Sequence, residues 1–195
     1  ILADAANGRV LWPYKPVDAF STFATLSAQM GSAIGESTSM IEEETTGRVM
    51  EFMLRFASLV PAFCATSNPF EISERLVSAD DYDYAAPLYG YTNYSREGFR
   101  GRVLAYDDVP SFDGRATGSQ LGGAGIAVSA HSAHPELAAK IAVFLSSAEA
   151  QRGPYTERHG QPGNLRAWLS PRMNDITHGF FRNTLRSIEG AWVRP

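Results

Sequence analysis

The residues of this chain best equipped for chemistry lie between positions 80 and 98. Tyr84, Tyr89, Tyr91 and Tyr94 fall within eleven positions, around the stretch APLYGYTNYSREG. A tyrosine pairs an apolar face with a hydrogen-bonding tip, so a cluster of them suits a ligand with both characters, as a sugar has. The same rings can equally pack a loop against the body of a protein. Just upstream, Asp80, Asp81 and Asp83 offer the carboxylates that glycosidic chemistry uses, without an identifiable partner. His131 and His134 are three apart across a strand-to-helix turn, a spacing that fits helix capping or exposure better than a shared metal. Asn93, Tyr94 and Ser95 form a glycosylation sequon, which matters only in a eukaryotic secretory setting. The sequence contains no phosphate loop, dinucleotide glycine fingerprint, nucleophile elbow or zinc-binding HExxH motif. These residues therefore assign no catalytic residue, no metal site and no cofactor, and binding is expected rather than catalysis.

The elements that must position these groups come from an ordinary globular composition: 195 residues, 44% hydrophobic and 19% charged, enough to bury a core. A net charge of -4 without a basic block argues against nucleic acid and anionic membrane as partners. No apolar run is long enough to span a bilayer. The single cysteine, Cys64, excludes an internal disulfide and reads as a small buried hydrophobe beside Phe63.

Periodicity divides the chain into a helical part and a β-then-α part. ILADAANGR reads as a helix end closed by Asn7 and Gly8, followed by a strand at RVLWP. This opening has the character of an interior segment, and upstream partner elements are expected. Residues 15–31 predict a helix with Phe20, Phe23, Ser27 and Met30 on one stripe. SAIGESTSMIEEETTG predicts a solvated loop that includes Glu42 to Glu44. Residues 48–60 predict a helix with Val49, Met53, Phe56 and Val60 in register, and residues 68–79 one capped by Asn68 and Glu71. RVLAYDDVPSF and GAGIAVSA read as strands, and HPELAAKIAVFLSS as a helix packing Leu137, Ile141, Phe144 and Leu145 on a sheet. A short helix is expected at residues 147–153, a loop at ERHGQPGN, and a closing helix over residues 175–193 with Phe181, Leu185, Ile188 and Trp192 on its apolar side.

At residues 120–153, QLGGAGIAVSAHSAHPELAAKIAVFLSSAEAQRG, the chain resembles the late segment of the family 1 extracellular solute-binding proteins, receptors of bacterial carbohydrate ABC importers. The likeness is an ordered series: a glycine pair before a strand, a small polar turn, an HPE helix start, an apolar helix, then a short S-x-E-x-Q helix. RVLWPYKPVDAFSTFATLSAQMG is similar to the family's central strand and helix, APLYGYTNYSR to its cleft loop, and GQPGNLRAW with GFFRNTLRSIEGAWVRP to its C-terminal region.

The resemblance implies an α/β protein, part of a two-lobed periplasmic-binding-protein-like (type II) fold. It assigns residues 1–98 to a helix-rich lobe completed by 154–195, and residues 99–153 to crossover strands and a helix of the other lobe, whose N-terminal part is expected to be absent. The implied function is capture of a sugar or sugar-like solute in an interlobe cleft and its delivery to an ABC transporter permease. A periplasmic or extracellular, cell-surface location follows, as for a lipoprotein. The alternatives are a glycosidase-like enzyme using the acidic loop and a sugar-binding protein coupled to a sensor. Ring faces for a pyranose and polar groups for its hydroxyls nominate Trp12, Tyr14, Tyr89, Tyr91, Asn93, Tyr94 and Gln161, with Lys15 reaching a ligand oxygen or solvent. Trp12 can instead anchor its lobe. Gly122 and Gly123 let backbone approach a ligand, or form a bulge or hinge at the crossover. Tested alone, the 195-residue chain is expected to bind its solute weakly and to self-associate through apolar surface near residues 103–128.

Overall fold

The computed structural model describes residues 1–35 and 41–193. Its first core is built on helices brought together by one short parallel ladder. A turn of helix, α1 (Leu2–Ala5), leads into β1 (Val10–Leu11) and then α2 (Pro16–Gln29). Pro16 stands at the first helical position, where no N–H is required. The helix ends in a Schellman arrangement: Gly31 takes φ +86°, and the N–H groups of Ser32 and Gly31 donate to the carbonyls of Ser27 and Ala28, both at 3.0 Å. In α3 (Glu43–Ala57), Val49, Met53 and Phe56 are buried at the spacing of one helical face. Asn68 and Glu71 form a reciprocal capping box at the start of α4 (Pro69–Ser78), with bonds of 2.9 and 2.7 Å.

After α4, β2 (Tyr84–Ala85) runs parallel to β1, pairing Tyr84 with Val10 and Ala85 with Leu11. Arg9 grips both carboxylate oxygens of Asp83 at 2.8 and 2.6 Å beside this ladder. The architecture is thus helix-rich α/β with a two-stranded parallel sheet among the described residues. Val10, Leu11, Trp12, Leu26, Val49, Phe56, Cys64 and Ile72 form the main core.

The second half is irregular. Helix α5 (Pro135–Ser146) precedes a series of short helices: α6 (Ala148–Gln151), α7 (Pro154–Glu157), α8 (Leu165–Trp168), α9 (Pro171–Asp175), α10 (Phe180–Asn183) and α11 (Leu185–Glu189). Ser147 caps α6 by accepting the Ala150 N–H. Trp168, Met173, Phe180 and Phe181 make a second, smaller core.

Several expectations are corrected. Residues 102–112 and 123–130 form no strand: a ladder needs a partner, and in this stretch only an isolated bridge between Gln120 and Trp192 is formed among the described residues. The closing helix is broken into α10 and α11, because Gly179 adopts left-handed backbone and Thr184 leaves helical geometry. Glu43 and Glu44 open α3 rather than lie in a loop, where they oppose the positive end of its dipole; residues 36–40 of that expected loop lie outside the described residues. On α2, Phe20 of the expected stripe is 47% exposed, while Ser27 is buried and Phe23 and Met30 pack against the core; Thr22, Thr25 and Leu26 complete the covered side. Phe144 is not a core residue. It is 48% exposed, and no residue of α5 is buried, since no sheet lies against the helix among the described residues.

Candidate functional site

The tyrosines of β2 and the loop after it divide into two spent on structure and two that remain available. The Tyr84 hydroxyl donates to Asp4 at 3.1 Å, and burial followed by this bond pushes its pKa up to about 12. Tyr94 is 1% exposed and donates to Glu74 at 2.6 Å, while its ring meets Phe70 and Phe99 edge-on. Arg100 holds the same Glu74 carboxylate at 2.7 Å. Tyr94 is therefore a loop anchor, not a ligand face.

Arg100 and then Tyr94 hold the Glu74 carboxyl below its ordinary pKa of 4.5. A lowered folded-state value means that this contribution to stability is present above that ordinary pKa and is lost as pH falls through the folded one. We expect Glu74→Gln to show a smaller drop in melting temperature than the parent chain between pH 7 and pH values below the carboxylate range. Equal drops would detach Glu74 from the acid response.

Tyr89 and Tyr91 keep ring surface. Tyr91 is 40% exposed and lies edge-on to Phe70 at a centroid distance of 6.1 Å. Half-buried Tyr89 lies beside the first of the glycine pair: a Cβ built on Gly122 would stand 3.4 Å from the Tyr89 ring, whereas one on Gly123 would meet nothing within 4 Å. Burial, the charge of Asp18 and Tyr89, in that order, raise the Tyr91 pKa, which places Asp18 of α2 in the same neighbourhood. Asp18 is partly buried, and one of its carboxylate oxygens is enclosed without a hydrogen-bond partner. Burial raises its pKa, with Lys15 lowering it and Glu71 raising it.

The other nominated residues take different roles. Trp12 is 1% exposed, stacks between Tyr14 and Phe56, and donates from its indole nitrogen to Thr22 at 3.0 Å. It is a core residue, because β1 carries it beneath α2 and α3. Tyr14 is half-buried on Trp12, and exposed Lys15 occupies the N-cap position of α2. Gln161 accepts the Thr92 N–H at 3.0 Å and donates to the Gly90 carbonyl at 3.2 Å, so its amide clamps the tyrosine loop. Asn93 is partly buried, and its side-chain oxygen has no partner. Of the acidic group, Asp83 is bound to Arg9 and Asp80 to Arg102 at 2.6 Å. Arg9 holds the Asp83 carboxyl below its usual range, the wrong direction for a proton donor. His131 and His134 are exposed beside α5, and no group of three metal-ligating side chains occurs among the described residues.

No family model, curated protein or solved structure matches the chain. The geometry therefore stands on its own. It brings Tyr89, Tyr91 and Gly122 together, with Lys15 and Asp18 close by, and removes Trp12, Tyr94 and Gln161 to supporting roles. Asp18 escaped the sequence reading because an acid in a first helical turn is ordinarily explained by the helix dipole. The groups that its charge meets, Tyr91 and Glu71, are far away along the chain.

Proposed function

We propose that the chain is the solute-binding part of a receptor that captures a sugar or sugar-like solute unaltered and delivers it to an ABC importer permease. The observation that carries this reading is the pair Tyr89 and Tyr91, tyrosines that keep ring surface, with Tyr89 beside the backbone of Gly122. Such faces cover the C–H side of a pyranose, while backbone and polar groups take its hydroxyls. The resemblance of residues 120–153 to family 1 solute-binding proteins supplies the permease, the periplasmic or extracellular location and the two-lobed type II architecture. Residues 1–98 with 154–195 form one lobe in this reading, and residues 99–153 belong to the other. Exposure of Leu137, Ile141, Val143 and Phe144 on α5 supports that division. The salt-bridged Asp80 and Asp83 speak against glycosidic chemistry at the acidic loop.

Saturation-transfer NMR with millimolar glucose, maltose, trehalose and sorbitol tests the reading, since it detects weak as well as tight binding. Tyr89→Ala or Tyr91→Ala should weaken binding by about tenfold to a hundredfold, or about 1–3 kcal/mol, with the fold retained. Wild-type binding in both variants would return the tyrosines to packing. Recovery of unchanged sugar supports a receptor, and turnover supports the enzyme alternative.

A further inference from the structure

The amide of Gln161 engages the residues on either side of Tyr91. Its Oε1 accepts the Thr92 N–H at 3.0 Å, and its Nε2 donates to the Gly90 carbonyl at 3.2 Å. In an extended chain the carbonyl before a residue and the N–H after it point to the same edge, where a neighbouring strand would take both. Tyr91 has such a backbone, with φ -119° and ψ 112°. One side chain thus supplies what a ladder takes from a strand. On the other edge the Tyr91 carbonyl accepts the Tyr94 N–H at 3.1 Å. Gly90 is pressed against two rings: a Cβ there would stand 2.9 Å from Phe180 and 3.3 Å from Tyr106.

This clamp is anchored in the second core. Pro162, the residue after Gln161, is buried, and its carbonyl accepts the Trp168 indole N–H at 2.8 Å. Further along, the loop has anchors of its own: Arg96, 6% exposed, donates to the Thr156 carbonyl at 2.6 Å, and Tyr94 donates to Glu74 at 2.6 Å. The bonds of Gln161 therefore fix the stretch from Gly90 to Thr92 and leave the rest of the loop to other contacts. We infer that Gln161 is a positioning residue that sets the direction of the Tyr91 ring for the solute, acting through Tyr91 rather than by touching the solute. This role rests on the receptor reading above. A ring covers a sugar face only over a narrow range of distance and tilt, so a backbone free to rotate at Tyr91 presents the ring wrongly for part of the time. Binding then carries the cost of ordering that residue, about a tenfold loss in affinity. Gln161 is itself exposed, so its bonds add little to stability and the effect on binding is separable from one on folding.

The test is a double-mutant cycle of Gln161→Ala and Tyr91→Ala, with the same four sugars followed by saturation-transfer NMR. Gln161→Ala should weaken binding about tenfold, with a melting temperature within about 3 °C of the parent chain. In the Tyr91→Ala background the same substitution should weaken binding no further, since no ring is left to direct. Gln161→Glu keeps an acceptor for Thr92 but sets a second oxygen against the Gly90 carbonyl, and it should weaken binding as Gln161→Ala does. Amide exchange supplies a readout free of ligand: in Gln161→Ala the Thr92 amide should exchange faster, while the Tyr94 amide, bonded within the loop, keeps its parent rate. Losses that add in the double variant would mean that Gln161 meets the solute itself. Unchanged binding in Gln161→Ala, with binding lost in Tyr91→Ala, would mean that the ring needs no clamp. Either result overturns the positioning role and leaves the receptor reading standing. A Thr92 amide that exchanges no faster without Gln161, or a melting temperature lower by more than about 5 °C, would overturn the role equally. Binding of none of the four sugars to the wild type would overturn the receptor reading and this role together.

Discussion

Trp12→Ala should lower the unfolding free energy by about 3–5 kcal/mol, measured by urea denaturation. The indole is 1% exposed and lies between the rings of Phe56, at 5.0 Å, and Tyr14, at 4.8 Å. Truncation removes both stacked contacts and leaves a cavity that β1, held in register by β2, cannot close by moving. It also leaves the hydroxyl of Thr22, 5% exposed, without the indole N–H that it accepts. Phe144→Ala in the same experiment should cost less than about 1 kcal/mol, since a ring 48% exposed gives up little buried area. Equal costs for the two substitutions would mean that the core is not organised around β1.

A second large effect belongs to α5. Leu137, Ile141, Val143 and Phe144 are 48–73% exposed, and Ile126, on the facing segment, is 54% exposed. An open groove of about 460 Å³ lies between Ile141 and Ile126 and is lined also by Val128, Ala138 and Leu145. Apolar surface of this kind drives association when concentration allows. Light scattering of the chain without sugar should show a particle mass that grows with concentration, and the double substitution Ile126→Lys with Ile141→Lys should return it to a monomer. A wild type that stays monomeric throughout would leave the groove without a role in association.

The contrast between Trp12 and Phe144 also shows what the sequence made legible. Local signals were read correctly: the Asn68–Glu71 capping box, Gly31 at the end of α2, and the buried positions Val49, Met53 and Phe56 of α3 each follow from contacts within a few residues. Periodicity identifies which face of an element is apolar, but not what will cover it. Trp12, nominated as a ligand contact, is covered by α2 and α3, whereas Leu137, Ile141, Val143 and Phe144 of α5 are left open. The site divided in the same way. Tyrosine spacing located the loop, but Glu74 removed Tyr94 from it and Gly122 selected Tyr89, both through contacts distant along the chain. Gln161, nominated as a ligand contact, lies at the loop, and its amide serves the loop backbone.

The ladder between β1 and β2 also has a kinetic consequence. Its flanking pair, Arg9 and Asp83, is separated by 74 positions, so closing the ladder means tying a loop that contains α2, α3 and α4. The entropy of that closure has to be met before the ladder returns any hydrogen bonds. The three helices, whose stops and caps are local, can form within their own segments and shorten the effective loop. Folding is then ordered by topology: helices early, ladder late. Exchange of the Ala86 amide, which donates to the Leu11 carbonyl at 3.2 Å, consequently tracks opening of the whole first core rather than fraying at a strand end.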